Sequence, residues 1–170
     1  KPGGPPPLRS RAEPFGLATL TPPQKLKCDR GTEFFLRHLD LKEGVLLRGG
    51  RATTEHPADR KHAPFASIFN TPQMSSLRAR YFGRRVVVDQ CMKGAPARKR
   101  TEFDGVLEDL ESMHVLCTHN YKHAPTSGLN AAGKFHSKSH EAYPSALCRD
   151  LAVLFVRAFA GSDPRDIHNL

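Results

Sequence analysis

Arg85-Val86-Val87-Val88-Asp89-Gln90 is the clearest strand in the chain, with three β-branched residues in a row. A short continuous apolar run of this kind suits a strand buried on both faces of a parallel sheet. Upstream, Arg51-Ala52-Thr53-Thr54 is a second β-like run that stops at Glu55-His56-Pro57. Pro57 biases His56 toward extended geometry and closes that strand.

Helical patterns surround these two strands. Residues 31–48 carry a stripe at Phe35, Leu36, Leu39, Leu46 and Leu47, with Thr32 placed to cap its start and Gly49-Gly50 to end it. Residues 65–81 read as a helix, provided Pro72 sits in a first turn. Val106 to Met113 predicts a short acidic helix with Leu107 and Leu110 inward, and Val115-Leu116-Cys117-Thr118 a third strand. Arg100-Thr101-Glu102-Phe103 also has extended character. Pro144 to Ala160 is a strong helix stopped by Gly161. Helices alternating with strands predict an α/β fold: a short, mostly parallel sheet flanked by helices, an incomplete Rossmann-like three-layer domain. Ligands of such sheets bind beyond the carboxyl ends of the strands, where Glu55-His56-Pro57 and Asp89-Gln90-Cys91 lie.

Composition sets the boundaries. The 170 residues suffice for one domain, and 14 Pro with 13 Gly leave the apolar share at 38%. Lys1-Pro2-Gly3-Gly4-Pro5-Pro6-Pro7 and Thr21-Pro22-Pro23 predict a flexible basic arm over 1–28, followed by an α/β domain over 29–162 and a tail over 163–170. The longest apolar run, Leu151 to Val156, falls far short of the ~20 residues that span a bilayer, so no membrane partner is expected. Residues 1–15 lack a signal-peptide core, and an opening Lys1 reads as a fragment or processed product. Four scattered cysteines, Cys28, Cys91, Cys117 and Cys148, favour a reducing compartment, nuclear or cytoplasmic, over secretion.

The net charge of +9 is uneven. Residues 58–100 carry ten Lys/Arg against two acids, whereas residues 101–123 carry one Lys against five acids. A block this basic favours polyanions. It points to nucleic acid as partner, through Arg78, Arg80, Arg84, Arg85, Arg98, Lys99 and Arg100. The ordinary alternative is a solubilising surface.

Cys117-x-His119-x-x-x-His123 supplies three zinc-type ligands within seven residues, and Cys91 is available as a fourth. Paired cysteines at knuckle spacing are lacking, so chance clustering among nine His competes with this reading. A Cys/His hydrolase built on Cys91 or Cys148 has no activating feature in the sequence. Cys148 reads as a core residue of the last helix.

Taken together, Glu55-His56-Pro57, Asp89-Gln90-Cys91-Met92-Lys93-Gly94, Arg98-Lys99-Arg100-Thr101, Cys117 with His119 and His123, and Tyr143-Pro144-Ser145-Ala146-Leu147-Cys148 follow a recognisable order. From about Gly49 to Leu154 the chain resembles an uncharacterised family found in retroelement-like and other polyproteins of unicellular algae. That family is in turn similar to the second half of cytosine-C5 methyltransferase-like Rossmann domains. The resemblance implies Glu55 as a carboxylate contacting a target base, and a nucleic-acid-associated, methyltransferase-like domain. The sequence departs from that pattern: it has no Pro-Cys nucleophile pair and no Gly-rich cofactor loop. S-adenosylmethionine chemistry would then require an upstream half, and the chain by itself is catalytically incomplete. The alternative is a zinc-stabilised, non-enzymatic binding module.

Overall fold

The computed structural model describes residues 6–63, 65–126, 128–129, 133–136 and 142–160. Among them are three α-helices, α1 (Pro22–Leu47), α2 (Pro72–Arg80) and α3 (Ser145–Ala160), and three strands, β1 (Thr53–Pro57), β2 (Arg84–Asp89) and β3 (Arg100–Gly105). The sheet order is β1-β3-β2, and both pairings are antiparallel.

This overturns the mostly parallel, Rossmann-like sheet expected from the sequence. The reason is the central strand. Only residues 90–99 link β2 to β3, too few for the helical crossover that a parallel pair needs but enough for an antiparallel return. Segment 115–118 is not a strand of the sheet; it contributes one parallel bridge, Val115 to Val88. Because β3 runs against both neighbours, β1 and β2 point the same way. Pro57 pairs with Thr101 and Asp89 with Arg100, so the ends of β1 and β2 share one edge of the sheet.

Pleating gives the sheet two different faces. Val86, Val88 and Phe103 point to one side and join Leu107, Leu110, Met113, Leu147, Leu154 and Ala158 in the main core, which α3 closes. The opposite face is polar. Thr54, Glu102 and Asp104 are buried there beneath α1 and α2. Lys42, 5% exposed, donates to Thr54 Oγ1 (3.1 Å), to the Asp104 carbonyl (2.9 Å) and to Asp104 Oδ1 (3.0 Å). Arg78 reaches Asp104 Oδ2 at 2.8 Å, and Arg85 binds Glu102. Burial lowers the Lys42 pKa, while Asp104 acts in the opposite direction. A second apolar cluster, Phe35, Leu39, Phe69, Met74 and Leu77, joins α1 to α2.

Helix α1 starts nine residues before the expected Gly31. Thr21 and Gln24 form the cap, the Gln24 carboxamide oxygen accepting from the Thr21 amide at 2.9 Å, with Pro22 at the first helical position. Thr32 is therefore inside the helix, its hydroxyl donating to the Cys28 carbonyl. Gly31 is where the preceding segment crosses: Arg9 donates to Cys28 O (2.8 Å) and Thr32 Oγ1 (3.2 Å), and a Cβ at Gly31 would lie 3.1 Å from its guanidinium. Of the stretch expected as a loose arm, residues 22–28 thus belong to α1, and Arg9, Phe15 and Leu17 hold the rest against it or onto itself. Residues 1–5, Gly161 and the tail over 163–170 lie outside the described residues.

The helix expected over 65–81 is a 3-10 turn at Ile68–Asn70 followed by α2, Pro72 opening the latter after the Thr71 cap. The acidic helix expected at 106–113 reduces to a 3-10 turn, Leu110–Met113, with Leu107 and Leu110 buried as read from the sequence. No helix among the described residues is long and apolar enough to cross a membrane.

Candidate metal centre and basic cleft

The Cys/His cluster is assembled at the shared edge. After Asp89 the chain turns through a 3-10 segment, Gln90–Lys93, stopped by Gly94 in a left-handed conformation (φ 95°) that glycine adopts without strain. This turn buries Cys91 at 5% exposure. Val115 then lies along the free edge of β2: its carbonyl accepts from Asp89 N at 2.9 Å, and its amide donates to Val87 O at 3.2 Å. Farther on, the Ala124 amide donates to Pro96 O at 3.0 Å, and Ala97 bridges Ala124. The segment carrying Cys117, His119 and His123 is thereby pinned at both ends.

The ligand atoms of Cys91, Cys117, His119 and His123 all lie within 4.8 Å of one another. Cys117 Sγ is 3.5 Å from His119 Nδ1 and 3.4 Å from His123 Nε2, and the two ring nitrogens are 3.2 Å apart. Tetrahedral zinc, with Zn–S of ~2.3 Å and Zn–N of ~2.0–2.1 Å, sets edges of ~3.5 Å between sulfur and nitrogen and ~3.3 Å between nitrogens. A hydrogen bond explains one such approach at a time. With Cys91 within 4.8 Å of the other three, the four donor atoms could hold a metal ion. Burial pushes the Cys91 thiol up to about 11, with the adjacent Cys117 adding to the shift, so an entering cation displaces a proton. The quartet is the one read from the sequence, and the structure brings all four together.

Asp89 anchors this centre from beneath. Its carboxylate, fully buried, accepts from Cys117 N (2.8 Å), Arg98 Nε (3.2 Å), Arg100 Nε (2.8 Å) and Arg100 Nη2 (2.7 Å). Burial opposes its ionisation, but those donors outweigh it and hold its pKa at about 2. Asp89 entered the sequence reading only as a strand end. Its supporting role had no local signal, because the donors arrive from residues 98, 100 and 117.

Six of the seven basic residues proposed for nucleic acid are ion-paired, and three of the seven line one cleft. Arg78 is committed to Asp104, Arg80 to Glu43 and Arg84 to Glu111. Arg98 and Arg100 share Asp89. Arg85, Lys99 and Arg100 do converge, together with Arg60 and Lys61, around a cleft of about 910 Å³ beside the ends of β1 and β2. Its apolar lining includes Pro57, Val87 and Leu116, and its carboxylates are Asp59 and Glu102.

Glu55 is turned away from this cleft. It accepts a hydrogen bond from the Tyr143 hydroxyl, and burial followed by the Glu55 charge raises the Tyr143 pKa. Lys99 Nζ lies 5.5 Å from the centre of the same ring. Cys148, expected in the core, is exposed: Leu147, Leu154 and Ala158 define the inward stripe of α3, one position out of phase with it. No family model, no curated protein and no solved structure matches this chain.

Proposed function

We propose that the chain is a zinc-stabilised binding module in which Cys91, Cys117, His119 and His123 hold one ion and so fix the wall of the adjoining cleft. The convergence of those four ligand atoms within 4.8 Å carries this reading. Four protein ligands complete a tetrahedral shell, the arrangement of structural zinc; catalytic sites keep one position for water or substrate. The ion would join the turn after β2 to the segment at 115–124, two pieces otherwise linked by a few backbone hydrogen bonds. The reading is non-enzymatic, and it gives the cleft, not the metal, the task of recognition.

The test is metal analysis of the purified chain, with cobalt substitution as a second readout. The expected result is about one zinc per chain and a cobalt spectrum typical of two thiolates and two imidazoles. Cys117→Ser and His123→Ala should lose the ion, while Cys148→Ser should keep it. A wild-type protein that neither carries nor takes up zinc or cobalt would overturn the proposal.

A further inference from the structure

The geometry points to a nucleoside-phosphate site in the cleft at the ends of β1 and β2, taking a nucleotide either free or as one unit of a single strand. The inference rests on the binding-module reading above and supplies its ligand class.

Charge comes first. Five cationic side chains, Arg60, Lys61, Arg85, Lys99 and Arg100, line the cleft against two carboxylates. Both carboxylates are already engaged. Glu102 binds Arg85 and accepts from the Asp59 amide, while Asp59 accepts from Arg11, Asn70 and the Lys61 amide. Among the described residues Lys61 forms no ion pair, and the Arg60 guanidinium lies 4.2 Å over the Phe65 ring with no carboxylate of its own. With Arg85 paired to Glu102, Arg100 to Asp89 and the Lys99 ammonium over the Tyr143 ring, Arg60 and Lys61 are the cleft cations that no carboxylate among the described residues neutralises. A concave surface with low-dielectric walls focuses such a field on an anion.

Shape and lining narrow the class. Pro57, Val87 and Leu116 give the cleft apolar surface between its cations. Inorganic phosphate would leave that surface wet, whereas a nucleotide brings both an anion and a planar body. A volume of about 910 Å³ is in the range of small-ligand clefts. Lys61, beside Arg60 in the lining, has a left-handed backbone conformation (φ 58°), uncommon for a non-glycine residue. Opposite, His114, Leu116 and Thr126 come from the segment that bears the metal ligands. Metal binding and ligand binding thus share one wall.

The experiment uses the full chain loaded with zinc. A fluorescein-labelled mixed-sequence single-stranded octanucleotide is titrated by anisotropy, with uridine monophosphate and inorganic phosphate as competitors. The double variant Arg60→Ala/Lys61→Ala, on an exposed loop, is expected to bind at least tenfold more weakly and to reduce the salt slope by about 1.4. Lys25→Ala, on the exposed surface of α1, should bind as wild type does. Displacement by the mononucleotide at concentrations where phosphate has no effect identifies the nucleoside unit. A strand that binds but resists the mononucleotide assigns the cleft to the polymer. Double-variant binding equal to wild type, or equal competition by inorganic phosphate, would overturn the site. Metal content is measured on the same samples: a failed cleft with zinc retained leaves the metal reading standing, and missing zinc with intact octanucleotide binding does the reverse.

Discussion

Asp89 Oδ2 accepts the backbone amide of Cys117 at 2.8 Å, so the end of the second strand holds the segment that presents three of the four proposed metal ligands. The same oxygen receives Arg98 and Arg100. Groups that orient metal ligands commonly matter to affinity nearly as much as the ligands do. Asp89→Asn keeps the shape but removes the charge and turns one acceptor into a donor that must face at least one arginine N–H. Zinc affinity should fall about 10- to 100-fold, measured by competition with a chromogenic chelator. Arg98 and Arg100, about half exposed, can be rehydrated, so a variant lacking only Arg98 should lose far less.

Metal removal should destabilise the chain as a whole. Any ligand that binds only the native state adds RT ln(1 + [L]/Kd), about 2.7 kcal/mol at a hundredfold excess over Kd. Thermal unfolding with and without a chelator should show a clear drop in Tm for wild type and almost none for Cys91→Ser. Equal chelator sensitivity in the two proteins would place the ion elsewhere.

The buried polar face gives a separate prediction. Lys42 and Asp104 are 3% and 1% exposed at their side chains, and Asp104→Ala leaves the ammonium without its counter-charge. Breaking one side of a buried pair costs about 3–5 kcal/mol. Adding Lys42→Met should recover part of that loss, because it removes the stranded charge. Urea unfolding of the two single variants and the double variant measures the coupling; strict additivity would argue against it.

These two sites differ in how far the sequence disclosed them. Three of the four candidate ligands were legible because Cys117, His119 and His123 fall within seven residues, whereas Cys91 comes from the turn after β2. The sheet was legible only in its strands: the β-like runs ending at Pro57 and Asp89 are β1 and β2. Its antiparallel order was not. Arg100-Thr101-Glu102-Phe103-Asp104-Gly105 holds one large apolar residue, and its two acids read as solvent-facing until Lys42, Arg78 and Arg85 arrive from other elements to neutralise them. Pairing of that kind has no period, so no pattern announces it. Cys148 failed for a simpler reason: one residue of helical phase decides between core and surface.

Alkaline pH should act through Tyr143. Burial, and then the Glu55 carboxylate, raise its folded pKa above the ordinary phenol value of 10.0. A raised folded pKa contributes stability that is complete below the unfolded value and is lost as pH rises through the folded one. Wild type should therefore lose stability above about pH 10 more steeply than Tyr143→Phe, which cannot ionise. Parallel denaturation curves at pH 9 and pH 11 test it, and identical losses in both proteins would exclude the Glu55–Tyr143 contact as the cause.

Two glycines should respond in opposite directions to the same substitution. A Cβ at Gly105 would meet Thr53 Cβ at 2.8 Å and the Ala52 carbonyl at 2.9 Å, where Thr53 of β1 pairs with the end of β3. Neither contact is a flexible side-chain tip, so Gly105→Ala must separate the strands or bend them. The cost should be about 1–3 kcal/mol, as for other overpacked sites. Gly44, inside α1, has nothing within 4 Å of its Cβ position. There alanine only removes backbone freedom from the unfolded chain and improves helix propensity, so Gly44→Ala should gain up to about 1 kcal/mol. Combining the two should give the sum of the single effects, since they touch no common residue, and chemical denaturation of all three variants measures it.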